Sequence, residues 1–257
     1  GSLDRALAEA ENMIDLAGEE SSEFWKTEAN RLKGWVHYER GELELSRSCF
    51  QGCIDSVKRN PTEYIPSATS YSLGSPEQVE SFTAAYVFAL AMVDLKGGRL
   101  DSARSGLVGI EHLLPDYAEL LRAELLLAEG SVEKAITVRE KTPPRRIPYM
   151  SDTGGMLVYN LPFLRDVLAR AYLKKGDIDK AIAKYEEFIT FQPDSRNRRL
   201  IHPSYHYRLA RLYEQKGSLK KAIEQYSKAL KTWKEADQNL PELMDARERL
   251  KKLSDRN

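Results

Sequence analysis

The stretch Pro162–Pro193, PFLRDVLARAYLKKGDIDKAIAKYEEFITFQP, decides the fold. Its first half puts Leu164, Leu168, Ala171 and Tyr172 on one face, and its second half does the same with Ile178, Ala181, Ile182, Tyr185, Phe188 and Ile189. Apolar residues three, four and seven apart are helical spacing. Gly176 closes the first helix and Pro193 stops the second, because glycine accepts the left-handed turn and proline cannot continue a helix. Small Ala169 and Ala181 stand where two helices cross closely. The stretch reads as one helical hairpin.

Working outward, the turn glycine recurs at Gly41, Gly98, Gly130, Gly176 and Gly217. Two residues after each comes an apolar side chain: Leu43, Leu100, Val132, Ile178, Leu219. Five residues after each comes a small one: Ser46, Ala103, Ala135, Ala181, Ala222. The apolar residue anchors a second helix, and the small one lets that helix cross the first. First helices are expected over about residues 22–40, 77–97, 116–129, 162–175 and 203–216. The third hairpin is the loosest, with Arg139 at a large apolar position and Pro143-Pro144 cutting its second helix short.

Hairpins repeated in this register resemble the tetratricopeptide repeat (TPR) family, whose period is about 34 residues. The resemblance implies an all-α, right-handed superhelical solenoid of antiparallel hairpins. It assigns repeats to 22–60, 77–115, 116–142, 162–193 and 203–236, and a half-repeat to 3–18. Leu3-Asp4-Arg5-Ala6 aligns with Ile178-Asp179-Lys180-Ala181, so the opening reads as a second helix within a repeat, cut from a longer parent behind a Gly1-Ser2 expression scar. Residues 240–254 carry Leu240, Leu243, Ala246, Leu250 and Leu253 on one stripe among charges, the pattern of a capping helix. The last third is similar to the TPR segments of multidomain prokaryotic signalling proteins.

The resemblance also implies a function, a non-enzymatic module that binds a protein or peptide in the groove lined by first helices. Carried onto this sequence, the groove positions are Arg31 and Trp35, Phe88 and Met92, Leu120 and Glu124, Phe163, Asp166 and Arg170, and Tyr207 and Arg211. Trp35 and Arg170 stand where the chaperone-binding branch of the family uses asparagine to clamp a C-terminal carboxylate, so that partner is disfavoured. The alternative function is self-association of the parent into a homo-oligomer.

Successive turn glycines are 57, 32, 46 and 41 residues apart. The excess falls in 60–76, 142–160 and 194–202, each after a second helix, so all three insertions emerge on one edge. They are rich in Tyr, Pro and Arg, and are expected to fold back onto the concave face. Arg145 and Arg146 in one, and Arg196, Arg198 and Arg199 in the next, are candidate grips for a carboxylate or phosphate. If the chain has a specific site, it is expected between those two loops, over Phe163, Asp166 and Arg170.

Other chemistry finds little support. With 39 basic and 39 acidic side chains the chain is neutral, which gives no reason to expect nucleic-acid or anionic-membrane binding. No run of about 18 apolar residues suggests a membrane span. No leader is recognisable, and a reducing, cytoplasmic setting is expected. Cys49 and Cys53 share a helix face and read as small packing residues. His202 and His206 lack a third ligand at metal spacing; His202 reads as lying near the cap of a helix starting at Pro203. Glu186-Glu187 reads as a solvated pair on a charged helix face. No phosphate loop or nucleophile elbow occurs, and no cofactor or catalytic residue is expected.

Overall fold

The computed structural model of the chain describes residues 2–20, 22–64, 76–141, 162–190 and 201–255. Among them no strand occurs. The chain divides into two compact units, Ser2–Glu129 and Gly130–Asn257.

The first unit holds α1 (Leu3–Glu19), α2 (Glu23–Arg40), α3 (Leu43–Arg59), α4 (Pro76–Lys96), α5 (Leu100–Ile110) and α6 (Pro115–Ala128), with a 3-10 turn at Pro61–Tyr64. Consecutive helices pack on one another. The core between α3 and α4 is built from Cys53, Ile54, Val57 and Tyr86, with Phe24, Val79, Phe82, Val87 and Leu90 around it. Trp35 meets Phe50 edge-on at 5.0 Å.

The second unit holds α7 (Val132–Lys141), α8 (Pro162–Arg165), α9 (Val167–Lys175), α10 (Ile178–Ile189), α11 (Pro203–Gln215), α12 (Leu219–Thr232) and α13 (Pro241–Ser254). Here too neighbours in sequence are neighbours in space: α9 packs on α7 and α10, α11 on α10 and α12, and α13 on α12. Each unit is thus a stack of helical hairpins, an all-α solenoid architecture. The C-terminal helix buries Leu243, Ala246 and Leu253 and turns Arg247, Glu248, Lys251 and Lys252 to solvent.

The turn glycines carry the architecture. Gly41, Gly98, Gly130, Gly176 and Gly217 have φ of 78°, 76°, 80°, 90° and 73°, the left-handed region that a side chain disfavours. The small residues five positions later, Ser46, Ala103, Ala135, Ala181 and Ala222, are all 0% exposed. Opposite them, seven residues before each glycine, stand Gly34, Ala91, Ala123, Ala169 and Ala210. Gly34 is required by Phe50: a Cβ there would lie 2.8 Å from the Phe50 ring.

One expected helix is broken. Residues 162–175 form α8 and α9, separated at Asp166 (φ −95°, ψ 7°). The i→i−4 ladder survives, Asp166 N–H donating to Pro162 O at 3.1 Å and Arg170 N–H to Asp166 O at 2.9 Å, so the break is a kink. Asp166 stands at the kink with its side chain wholly inside, held by the charges described below.

Candidate functional site

The second unit gathers its polar groups on the first helices of its hairpins and on the cap. Asp166 is 0% exposed. Its Oδ1 accepts from Arg170 Nε at 2.7 Å, and its Oδ2 accepts from the Tyr185 hydroxyl at 2.9 Å and from Arg208. Arg208 reaches on to Glu242 with Nε at 3.2 Å and a terminal nitrogen at 3.1 Å. The Ser204 hydroxyl donates to the same Glu242. Arg170 also donates to the Phe163 carbonyl at 3.1 Å, across the kink.

A second string runs beside the first. The Tyr207 hydroxyl donates to Asp245 at 2.7 Å, and Arg211 reaches both the Tyr207 oxygen (3.1 Å) and Asp245 (3.3 Å). Arg249 binds Asp245 at 2.7 Å and Glu214 at 3.1 Å. Tyr226 closes the string on Glu214 at 2.8 Å. Four guanidinium groups are therefore held by four carboxylates, and the Arg170, Arg208, Arg211 and Arg249 side chains keep 27–45% of their surface exposed.

The electrostatics follow from this pairing. Burial pushes the Asp166 carboxyl up, but Arg170, Arg208 and the Tyr185 hydrogen bond together outweigh it and hold the carboxyl below its ordinary value. Burial opposes the charge on Arg208 in the same way; Asp166 and Glu242 overcome it and raise its pKa. Asp245 is depressed likewise by Arg249 and Tyr207 against its own burial. Burial and the neighbouring Asp166 push the Tyr185 hydroxyl well up, so it remains a donor. Each shift favours the charged form of the carboxylates and arginines and the protonated form of the Tyr185 hydroxyl, which keeps the donor–acceptor pairing of the strings.

The groove positions read from the sequence fall into two classes. In the first unit, Arg31, Trp35, Phe88, Met92, Leu120 and Glu124 are all buried. Arg31 is folded onto Glu28, which also takes the Tyr86 hydroxyl at 2.8 Å. Phe88 stacks edge-on to Tyr117 at 4.8 Å. In the second unit, Phe163 is half-buried, Asp166 and Tyr207 are buried, Arg170 is half-buried and Arg211 is exposed. Arg145, Arg146, Arg196, Arg198 and Arg199 lie outside the described residues, as do the insertion 142–160 and most of 60–76 and 194–202.

Sequence alone does not single out Arg208, Glu242, Asp245 and Arg249, the residues that complete the strings. Their signal is an acid–base pair one or two turns apart on α11 and α13, which solvated helix faces also show. Glu186 and Glu187 are exposed, as expected of a solvated pair, and Glu186 also accepts the Tyr213 hydroxyl. His202 is the N-cap of α11, its Nδ1 accepting from Ser204 N–H at 3.3 Å. His206 meets Gln225 at 2.7 Å. Cys53 is buried and donates to the Thr27 carbonyl at 3.4 Å, and burial pushes its thiol up, away from reactivity. Among the described residues no three His, Cys, Asp or Glu side chains group as metal donors. No described helix is long and apolar enough to cross a membrane.

Comparison with known proteins agrees with the hairpin geometry. Residues 167–241 match the family model described as tetratricopeptide repeat. Among solved structures, the chain is similar to a thermophilic TPR protein of Thermus thermophilus: TM-score 0.53, 18% identity, over 88% of this chain and 98% of that one. BtubC from P. vanneervenii aligns over 89% of this chain and 90% of its own, at 14% identity and TM-score 0.41. No curated protein matches the chain.

Proposed function

We propose, from a chain whose residues 167–241 are tetratricopeptide repeats, that it is a non-enzymatic interaction module and that the first-helix face of its second unit binds a peptide or protein segment. The observation that carries this reading is the set of four part-exposed arginines, each oriented by a buried or half-buried carboxylate. A guanidinium so held has lost its rotamer freedom before the partner arrives, so its exposed edge binds at reduced entropic cost. The face is balanced in charge, and a partner matching it carries both carboxylates, for Arg170 and Arg211, and hydrogen-bond donors, for Glu242 and Asp245. A partner presenting only a terminal carboxylate gains less, because every arginine already has an acid. The corresponding positions of the first unit are taken up by its core, which supports placing the site in the second.

The test is a peptide library displayed on phage and panned against the whole chain. Selected peptides are expected to be rich in Asp or Glu interspersed with donors. Their affinity should fall about tenfold or more on the combined changes R170Q and R211A, since each removes a charged hydrogen bond to the peptide. Peptides that bind the double variant as well as the parent, with its melting curve unchanged, would place recognition elsewhere.

A further inference from the structure

The neutral total conceals a division of charge. The first unit carries 12 Lys and Arg against 22 Asp and Glu, a net charge of −10. The second carries 27 against 17, a net charge of +10. Charge separated in this way gives two regions of one chain opposite potentials, and such fields steer association.

The second helices of the hairpins show where the sign turns over. Three residues after the turn glycine, in the first turn of the helix, α3, α5, α7 and α10 carry Glu44, Asp101, Glu133 and Asp179. Asp4 holds the aligned place in α1. An acid there complements the helix macrodipole. In α12 that place belongs to Lys220, with Lys221 beside it, and the first turn has no acid. Two cations at a helix N-terminus oppose the macrodipole, so the stability of α12 gives no reason for them. Fourteen residues after the glycine the reversal recurs: Lys231 of α12 stands where α3 has Asp55 and α1 has Asp15.

Both sets of charges lie at the surface. Lys220, Lys221, Lys228 and Lys231 are exposed. Lys228 meets Glu224, the one acid of α12, at 2.6 Å, and Lys221 lies over the Tyr213 ring at 5.1 Å. Lys220 and Lys231 pair with no acid among the described residues. In the first unit, Arg104 engages Asp101 and Glu129, and Arg122 engages Glu111 and Glu119. Asp15 and Glu19 of α1 have no such partner among the described residues and are exposed. Their aligned residues in α3, Asp55 and Arg59, are exposed too, although α2 and α4 both pack on α3. By register this is the outer side of a second helix.

We infer that the chain associates head to tail with a second copy, the acidic outer face of one first unit (Asp15, Glu19, Asp55) meeting the lysine face of α12 (Lys220, Lys228, Lys231) in the next copy. Complementarity selects this occupant. A two-fold contact of either face with itself would set like charges together, whereas a heterologous contact joins opposite ones. A nucleic acid drawn to the second unit would be repelled by the first. The contact uses second helices, so it is separate from the arginine face proposed above and stands or falls without it.

The test is sedimentation velocity of the whole chain over a range of concentrations. At about 0.01 M ionic strength, where screening sets in only beyond about 30 Å, the average mass should rise with concentration. At about 1 M, where screening sets in within about 3 Å, it should return to that of one copy. K220E with K231E makes both faces acidic, and D15K with E19K makes the α1 face basic like that of α12. Each variant alone should stay a single copy at low salt, and an equimolar mixture of the two should associate again. All four positions are exposed, and K220E puts back the acid that the other second helices carry, so neither melting curve should fall below the parent's. A parent that stays a single copy at every concentration and ionic strength would overturn the inference. So would either variant associating alone as the parent does, or a mixture that stays dissociated. A DNA duplex that binds the single-copy parent and not K220E with K231E would give the lysine face to nucleic acid instead.

Discussion

Asp166 shows how one buried carboxylate can shape both fold and face. It sits at the kink of the first helix, ties α9 to α10 through Tyr185 and to α11 through Arg208, and aims Arg170. D166A leaves Arg208 without its inner partner and should cost about 3–5 kcal/mol in urea unfolding, the range for breaking a buried pair on one side. Because the native carboxyl is depressed below its ordinary 3.8, its stabilisation is present above that value and is lost as pH falls through the native one. His202 adds a slope at milder pH. Burial above all lowers its pKa from 6.5 to about 4, so the unfolded chain takes up the proton first. Stability from His202 is complete above 6.5 and declines as pH falls from there toward 4. H202N keeps a capping oxygen without the titration, and its stability–pH profile should be flatter over that window. The His202 cap could be read from His-Pro-Ser before an apolar helical run. The burial of Asp166 could not, because its ligands Arg208 and Tyr185 are distant in sequence and only packing brings them together.

At the scale of the element, the hairpins are joined by a repeated staple. Tyr172 donates to Glu140 at 2.5 Å while Lys175 meets Glu133 at 2.8 Å. One hairpin on, Tyr213 donates to Glu186 while Lys216 meets Asp179. The acids lie seven apart in both cases, and the Tyr and Lys three apart, so the spacings of 46 and 41 between glycines leave the staple intact. The α1–α2 pair carries its lysine half as Arg40 with Asp4. The exposed lysine bridges contribute little individually, about 0–1 kcal/mol each. The tyrosine bonds are part-buried, and Y213F should cost about 1 kcal/mol in denaturant unfolding. The close crossings matter more. A181L and A222L, at sites 0% exposed, should each destabilise by about 1–3 kcal/mol through overpacking. A6L, the same change at the same register but at an exposed site of α1, should leave the melting temperature of this chain unchanged. A drop with A6L as large as with A222L would mean that burial at the crossing does not set the cost. These crossings were legible because glycine spacing and residue size both bear on a single local contact. The tyrosine–acid staples were not, since they link side chains 32 and 27 residues apart and look in sequence like ordinary helix-face polarity.

For the molecule as a whole, the division into Ser2–Glu129 and Gly130–Asn257 is the feature a periodic reading does not reveal. The turn glycines run through the chain without marking it, and the groove positions of both halves look alike in sequence. They differ in their surroundings: in the first unit even Arg31 and Glu124 are drawn in beside bulky Trp35, Phe88 and Met92, whereas in the second the buried Asp166 holds an Arg170 that stays partly exposed, as Asp245 holds Arg211. In repeat arrays stability is roughly a sum of repeat terms and nearest-neighbour terms, so damage to one unit is expected to register there first. The tryptophans allow this to be read directly: Trp25 and Trp35 lie in the first unit, and Trp233, 3% exposed, in the second. Two backgrounds, W25F with W35F and W233F alone, leave one unit reporting in each. In the first background A222L should lower the urea midpoint seen by Trp233 through the overpacked α11–α12 crossing. In the second it should move the midpoint seen by Trp25 and Trp35 by less. A91L, at a buried site on α4, should reverse the order, because α5 crosses so close there that a Cβ on Gly106 would lie 2.7 Å from the Ala91 Cβ. Equal shifts of both reporters in both experiments would show one cooperative transition across the chain, and nearest-neighbour additivity would then fail at the unit boundary.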